Sequence, residues 1–362
     1  IKQLTQGDWE VSSVYGFSND GKYIYISGNK ENAISFDTYK INIETAEITR
    51  LSSENGSHQA YFHAFDKYFI DVYSNTNTPA RYNLCDTNGK IIKTILDSKN
   101  PLEEYNLGEM SIGTLKAADG KTDLYYRLIT PPDFDKNKKY PAIIYVYGGP
   151  HAQLIVDRWM GGASGWEYYM AQNGYVMLTI DNRGSANRGM EFESVIHRQM
   201  GVEEAADQMQ GVEFLRNLGY IDMERLGVHG WSYGGFMTIT LMTKHNDIFK
   251  VGVAGGPVTD WKYYEIMYCE RYMDSPQDNP EGFEQTSLLN KTQDLIGRLM
   301  VIHGAIDNIV VWQHSLDFVN ECIKNKVLVD YFVYPRHEHN VRGYDRIHLM
   351  RTITRYFDDH LK

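Results

Sequence analysis

Apolar and polar positions follow two different patterns along this chain, and the change falls near residue 100. Up to that point apolar residues come in short runs, over 11–17, 23–27, 34–43 and 47–51, and then over 60–64, 68–73, 80–85 and 91–96. Asn19-Asp20-Gly21, Glu44-Thr45, Asp86 to Gly89 and similar polar clusters separate them, as turns separate antiparallel strands. Two groups of four strands, each in roughly 45 residues, match the period of propeller blades. An ordinary β-sandwich is the alternative, since the two groups share a pattern more than a sequence. Two blades cannot close a ring and need neighbours to cover their faces. The expectation is a chain that forms the C-terminal part of a longer polypeptide, with residues 1–100 as a partial propeller and further blades upstream.

Beyond residue 101 the runs lengthen and lose their alternation. A strand over 125–129 stops at Pro131-Pro132, and 142–147 is then continuously apolar, as in a strand buried on both faces of a parallel sheet. Similar runs recur at 176–180, 226–229, 250–254, 299–303 and 330–334, with helix-length segments such as 202–218 and 315–325 between them. The alternation predicts an α/β domain over 101–362 with a mostly parallel sheet. On such a sheet, reactive side chains belong in loops at the carboxyl ends of strands.

One loop of that kind carries chemistry. Gly230-Trp231-Ser232-Tyr233-Gly234 follows the strand at 226–229 and precedes an apolar, Pro-free stretch over 236–243. Gly-x-Ser-x-Gly between strand and helix is the pattern of a nucleophile elbow, where small residues let the two elements approach while the hydroxyl stays exposed. A serine hydroxyl needs a base to take its proton and a third group to orient that base. In this fold the partners follow in the order acid, then histidine. The strand over 299–303 runs into Asp307, and that over 330–334 runs into His337 and His339. Spacing alone leaves the two histidines nearly even. Asp307 can also be read as an Asx-turn residue.

Composition narrows the rest. With 362 residues, about two domains are expected. The 27 tyrosines fit a β-rich portion. A net charge of −11 with no basic run argues against a nucleic-acid partner. No stretch of about 18 consecutive apolar residues is present to span a membrane. Cys85, Cys269 and Cys322 are odd in number and far apart, so no disulfide framework or metal site follows from them. The chain opens on Ile1 without an apolar leader, which reads as a mature or trimmed product.

Taken together, Gly-Trp-Ser-Tyr-Gly-Gly at 230–235, Tyr147-Gly-Gly-Pro-His-Ala-Gln153, the loop at 181–189, the stretch at 261–272, and the Asp307 and His339 loops resemble the prolyl oligopeptidase superfamily of serine peptidases. Within it the chain is similar to the dipeptidyl peptidase IV branch, and most like the bacterial prolyl tripeptidyl aminopeptidases in Val253-Ala-Gly-Gly-Pro-Val258 and Glu338-His-Asn-Val341. The resemblance implies an α/β-hydrolase domain preceded by the end of a propeller. It also implies Ser232, Asp307 and His339 as the triad, and thereby prefers His339 to His337.

An acyl-transfer site needs two donors for the oxyanion. The backbone N–H of Tyr233 is one by the logic of the elbow, and the resemblance supplies the phenol of Tyr147 as the second. Trp261, Tyr264, Tyr268, Val258 and Val310 are implied as walls of a pocket for the proline ring before the scissile bond. Without the resemblance, the aromatic residues over 261–268 would read as a core stripe. Glu265 is implied as one half of a clamp on the substrate's free amine, its companion lying upstream. Where the dipeptidyl enzymes carry an asparagine two positions past the acid, this chain has Ile309, which weakens the dipeptidyl reading. Arg183 and Asn187 read as loop structure.

The implied activity is that of a serine exopeptidase releasing N-terminal tripeptides or dipeptides after proline, without metal or organic cofactor. A dipeptidyl or acyl-peptide hydrolase and a non-catalytic interaction protein of the same fold are the alternatives. The resemblance further implies a periplasmic or cell-surface location, with a homodimer left open.

Overall fold

The computed structural model describes residues 1–63 and 67–362. The chain forms two compact units, one of residues 1–106, 153–164 and 186–192, the other of 107–152, 165–185 and 193–362. The second unit is therefore interrupted twice by segments that belong to the first.

The first unit holds two four-stranded antiparallel sheets, each strand pairing with the next. β1 (Val11–Phe17), β2 (Tyr23–Gly28), β3 (Asp37–Asn42) and β4 (Ile48–Arg50) form one. β5 (Ser57–Phe62), β6 (Tyr68–Asn75), β7 (Thr78–Asp86) and β8 (Ile91–Asp97) form the other, and the expected strand over 60–64 runs at its end outside the described residues. Successive residues of a strand face opposite ways. Tyr25 accordingly joins Leu51, Ala60, Phe69 and Cys85 in a core shared by both sheets, while Ile26 packs with Tyr39 and Ile41 on the other face. Close seating of the sheets depends on the β7–β8 turn. Gly89 has φ +83°, and a Cβ there would lie 2.3 Å from the Leu51 carbonyl oxygen.

In the second unit one mixed sheet has the order β16-β15-β14-β13-β11-β12-β10-β9. Its strands are β9 (Met110–Lys116), β10 (Asp123–Ile129), β11 (Tyr140–Tyr145), β12 (Val176–Ile180), β13 (Ile221–Trp231), β14 (Val251–Gly255), β15 (Arg298–Gly304) and β16 (Asp330–Tyr334). β11 to β16 run parallel; β10 pairs antiparallel with β12 and with β9. Its helices are α1 (Gly165–Gln172), α3 (Glu203–Asn217), α4 (Tyr233–Lys244), α5 (Ile266–Met273), α6 (Pro280–Thr286), α7 (Gln313–Lys324) and α8 (Asp345–Leu361), while the short α2 (Met190–Glu193) falls almost wholly in the first unit. β9 has no counterpart in the hydrophobic pattern, because it is half-exposed and carries Gly113, against which the Tyr126 ring lies. This is the α/β-hydrolase architecture, preceded along the chain by blade-like sheets of a propeller.

α4 is buried from Tyr233 to Thr243. Its threonines fit that setting because each hydroxyl bonds back to a carbonyl four residues earlier: Thr238 to Gly234, Thr240 to Phe236, Thr243 to Ile239, at 2.8–2.9 Å. The carboxyl ends of β11, β13, β15 and β16 lead into the loops carrying Tyr147, Ser232, Asp307 and His339. That edge of a parallel sheet is where such folds bind ligands.

Candidate active site

The elbow is a strained point in the backbone. Ser232, between β13 and α4, has φ 62° and ψ −118°, a region that costs a residue with a side chain about 1–3 kcal/mol. Packing holds it there. Ser232 N–H donates to Gly255 O at 2.8 Å, and Phe236 N–H donates to Ser232 O at 3.0 Å. A Cβ at Gly230 or Gly234 would come within 2.3 or 2.2 Å of the Val146 carbonyl oxygen, and one at Gly235 within 2.6 Å of Gly255 O. The glycines thus let the turn sink between β11 and β14 and leave Ser232 half-exposed.

Asp307 and His339 meet across the next two loops. His339 Nδ1 lies 2.7 Å from Asp307 Oδ2, both residues being buried. Asp307 Oδ1 accepts from the amides of Ile309 and Val310, each at 2.9 Å. Burial pushes the Asp307 carboxyl up, but the donors His303, His339 and the Ile309 amide outweigh it and hold its pKa below the usual carboxylate range. The Asx-turn and the histidine contact therefore coexist, one on each oxygen. The loops are laced by Ala305 N–H to Tyr334 O at 3.0 Å and Ile306 N–H to His337 O at 3.2 Å. Gly304 permits this, since a Cβ there would lie 2.3 Å from Glu338 O. His337 is directed elsewhere, with Nε2 2.8 Å from Asp345 Oδ2.

Three residues that sequence reasoning passed over position these groups. Trp231 Nε1–H donates to the His339 carbonyl at 2.8 Å, joining the elbow to the histidine loop. The His339 ring lies over Gly256, where a Cβ would come 3.3 Å from Cε1. His303, fully buried, has Nε2 at 2.8 Å from Val310 O and 3.3 Å from Asp307 Oδ2, and Nδ1 at 2.6 Å from Ser315 Oγ. Glu204, also fully buried, has Oε1 2.6 Å from the Tyr233 hydroxyl. Only His303, ending a predicted strand just before the acid loop, gave a signal by position.

The aromatic residues form one contiguous set beside Ser232. Tyr233 has its ring centre 6.0 Å from Tyr147 and 5.4 Å from Trp261. Trp261 stacks on Tyr268 at 6.0 Å and meets Tyr264 edge-on at 5.8 Å. Trp261, Val258 and Val310 are buried; Tyr147, Tyr264 and Tyr268 are half-buried. Trp261 opens a 3-10 turn (Trp261–Tyr263) capped by Asp260, and its carbonyl accepts from the Cys269 thiol. Burial raises the Tyr147 phenol above its usual pKa, which keeps it a neutral donor. Among the described residues that hydroxyl has no hydrogen-bond partner.

Glu265 is the N-cap of α5. Its Oε2 accepts from Met267 N–H at 3.1 Å, and the exposed carboxylate keeps its other oxygen for another donor. Arg183 is bound up in structure, with bonds to Asp207 and Glu203 within the second unit. Asn187, in the first unit, donates to Gln153 Oε1 at 2.9 Å. All three cysteines are buried and unbridged, and burial pushes each thiol up to about 12, far from a reactive thiolate at neutral pH. Among the described residues no cluster of histidine, cysteine and carboxylate side chains has the form of a metal site, and no helix is long and apolar enough to cross a membrane.

Residues 163–362 match the model of the prolyl oligopeptidase family, over more than half of the chain and including the elbow, acid and histidine loops. The chain belongs to the prolyl oligopeptidase family. Residues 1–80 match the N-terminal region of dipeptidyl peptidase IV. Human dipeptidyl peptidase 8 is 33% identical over 359 residues, covering 94% of this chain and 40% of that protein. A Bacteroides ovatus protein provisionally named a dipeptidyl aminopeptidase IV superposes with a TM-score of 0.96 at 48% identity, covering 99% of this chain and 51% of that one. For Porphyromonas gingivalis dipeptidyl peptidase 4 the TM-score is 0.94 at 30% identity, covering 100% and 51%. The chain thus spans 40–51% of the length of these relatives.

Proposed function

We propose that this chain carries the catalytic centre of a serine exopeptidase that releases dipeptides or tripeptides from free N-termini, cutting after proline. The supporting observation is a positive-φ serine elbow standing in one unit with a buried Asp307–His339 pair and a contiguous set of aromatic side chains. His339 Nδ1 is engaged by Asp307, so its Nε2 is the atom that takes the Ser232 proton as Oγ attacks the carbonyl carbon. The resulting oxyanion is met by Tyr233 N–H and the unpartnered Tyr147 phenol. When the C–N bond breaks, His339 returns the proton to the departing amine. Water then attacks the acyl-enzyme by the same route, and Ser232 recovers its proton. Flat hydrocarbon walls at Trp261, Tyr264, Tyr268, Val258 and Val310 suit a proline ring, which offers no N–H to satisfy.

The free oxygen of Glu265 suits a substrate ammonium, in keeping with an exopeptidase. The names of the relatives favour dipeptide release, while Ile309 favours the tripeptidyl alternative. Matched Xaa-Pro and Xaa-Xaa-Pro reporter peptides decide between them, and Ser232→Ala should lower kcat by about a million-fold with binding largely intact. Near-normal turnover in that variant would remove Ser232 from the mechanism.

A further inference from the structure

The fully buried carboxyl of Glu204, on α3, stands behind the elbow without a cation. Among the described residues no basic side chain pairs with it; the nearby Arg183 is committed to Asp207 and Glu203. Burying an acid unpaired is costly, and an apolar residue of similar size would serve packing better. Its contacts show what the acid does instead. Oε1 lies 2.6 Å from the Tyr233 hydroxyl, and Oε2 accepts from Gly201 N–H at 2.8 Å. Gly201 has φ +87°, and a Cβ there would lie 2.6 Å from Phe236 Cζ. The Phe236 ring in turn meets the Tyr233 ring edge-on at 5.4 Å. The contacts close a circuit from Tyr233 through Glu204, Gly201 and Phe236 back to Tyr233.

Tyr233 is the first residue of α4, and a first-turn N–H has no partner inside its helix. Its direction depends on how residue 233 is held. Ser232 fixes the chain on one side, and the Tyr233 ring is pressed on Gly149, where a Cβ would lie 2.6 Å from Cγ. The remaining freedom, rotation and slip of the ring in its own plane, is removed at the hydroxyl.

Resting on the function proposed above, we propose that Glu204 is a positioning residue: by gripping the Tyr233 phenol it fixes the aim of the Tyr233 backbone N–H at the developing oxyanion. The pair acts on turnover rather than on substrate affinity, because the N–H finds its full charge only in the tetrahedral state. Burial pushes the Glu204 carboxyl up to about 7, so a neutral acid is an accessible form. Glutamine reproduces that form, with Nε2–H towards the Tyr233 oxygen and Oε1 towards Gly201 N–H.

The test compares Tyr233→Phe, Glu204→Ala, Glu204→Gln and the double variant Tyr233→Phe/Glu204→Ala in the full chain, by kcat and KM on the better reporter peptide. Labelling of Ser232 by a fluorophosphonate, whose phosphoryl oxygen enters the same oxyanion site, is a second readout. Tyr233→Phe and Glu204→Ala should each lower kcat and labelling rate by about tenfold with KM within about twofold, the size of one well-placed hydrogen bond. The double variant should be no worse than either single, and Glu204→Gln should stay within about threefold of wild type. Full activity in Tyr233→Phe, additive losses in the double variant, or a change confined to KM would each overturn the inference. If Glu204→Ala does not fold, the Tyr233→Phe and Glu204→Gln results still decide it. A wild-type chain that labels but cleaves neither peptide sinks the peptidase reading, while labelling rates still decide the role of Glu204.

Discussion

Trp231 grips the backbone of His339: its indole N–H donates to the His339 carbonyl at 2.8 Å, from the residue immediately before Ser232. The indole itself lies flat on Gly255, where a Cβ would come within 1.9 Å of Cε3. One side chain therefore ties the elbow, the end of β14 and the histidine loop together. Serine and histidine belong to loops more than a hundred residues apart, so such a brace matters for their alignment. Trp231→Phe keeps the ring on Gly255 and removes the donor. Its kcat should fall by about five- to tenfold, the worth of about 1 kcal/mol in alignment, measured in steady state on a proline reporter peptide. Unchanged turnover would mean that the Ala305–Tyr334 and Ile306–His337 backbone bonds hold the loop by themselves.

Tyr147 tests the oxyanion arrangement. Its phenol is kept neutral by burial and has no hydrogen-bond partner among the described residues, so Tyr147→Phe should leave the fold undisturbed. Turnover should drop by about a hundredfold or more if the hydroxyl donates to the oxyanion. A rise in KM with kcat intact would place Tyr147 in ordinary substrate binding. Thermal melting of the variant within a degree or two of wild type checks that the loss is chemical.

Glu204 gives stability a pH dependence of predictable sign. Burial raises its folded-state pKa to about 7, above the ordinary 4.5 of the unfolded chain, with Asp207 on the same helix adding to the rise. Between those values the folded protein holds a proton that the unfolded chain has released, so stability falls as pH increases and levels off once the folded carboxyl ionises too. Glutamine has no proton to lose. The stability of Glu204→Gln relative to wild type should therefore improve between about pH 4.5 and pH 7, by on the order of 3 kcal/mol, and stay flat on either side. Urea unfolding of both proteins at pH 4.5, 6 and 8 measures this. A difference that does not vary with pH would show that the carboxyl titrates as it does in water.

The elements that were legible in the sequence are those whose side chains all answer to one environment. β12 coincides with the run at 176–180, because a strand buried between helices must be apolar throughout. β9 was not legible, since an edge strand with one wet face and a central glycine reads as a loop. The elbow, acid and histidine loops were legible by chain order and strand ends, and Asp307 and His339 stand 2.7 Å apart there. Choosing between His337 and His339 was not open to spacing, since two residues apart on a loop either can face the acid. Glu204 and Trp231 gave no signal either. One looks like any acid in a helix's first turn, and the other like a variable position inside a motif, yet both act across contacts that only the folded chain creates.

The interleaving of the two units bears on how this protein could be taken apart or recombined. The backbone passes from one unit to the other five times, because residues 153–164 and 186–192 belong with residues 1–106. A single joint near residue 107, the natural place to splice a gene, would hand those two segments to a foreign first half. Chimaeras between relatives should then fold only when 153–164 and 186–192 travel with 1–106, so the catalytic unit is not a cassette that one crossover can move. With the first unit spread over residues 1–192, every single crossover before residue 193 divides it.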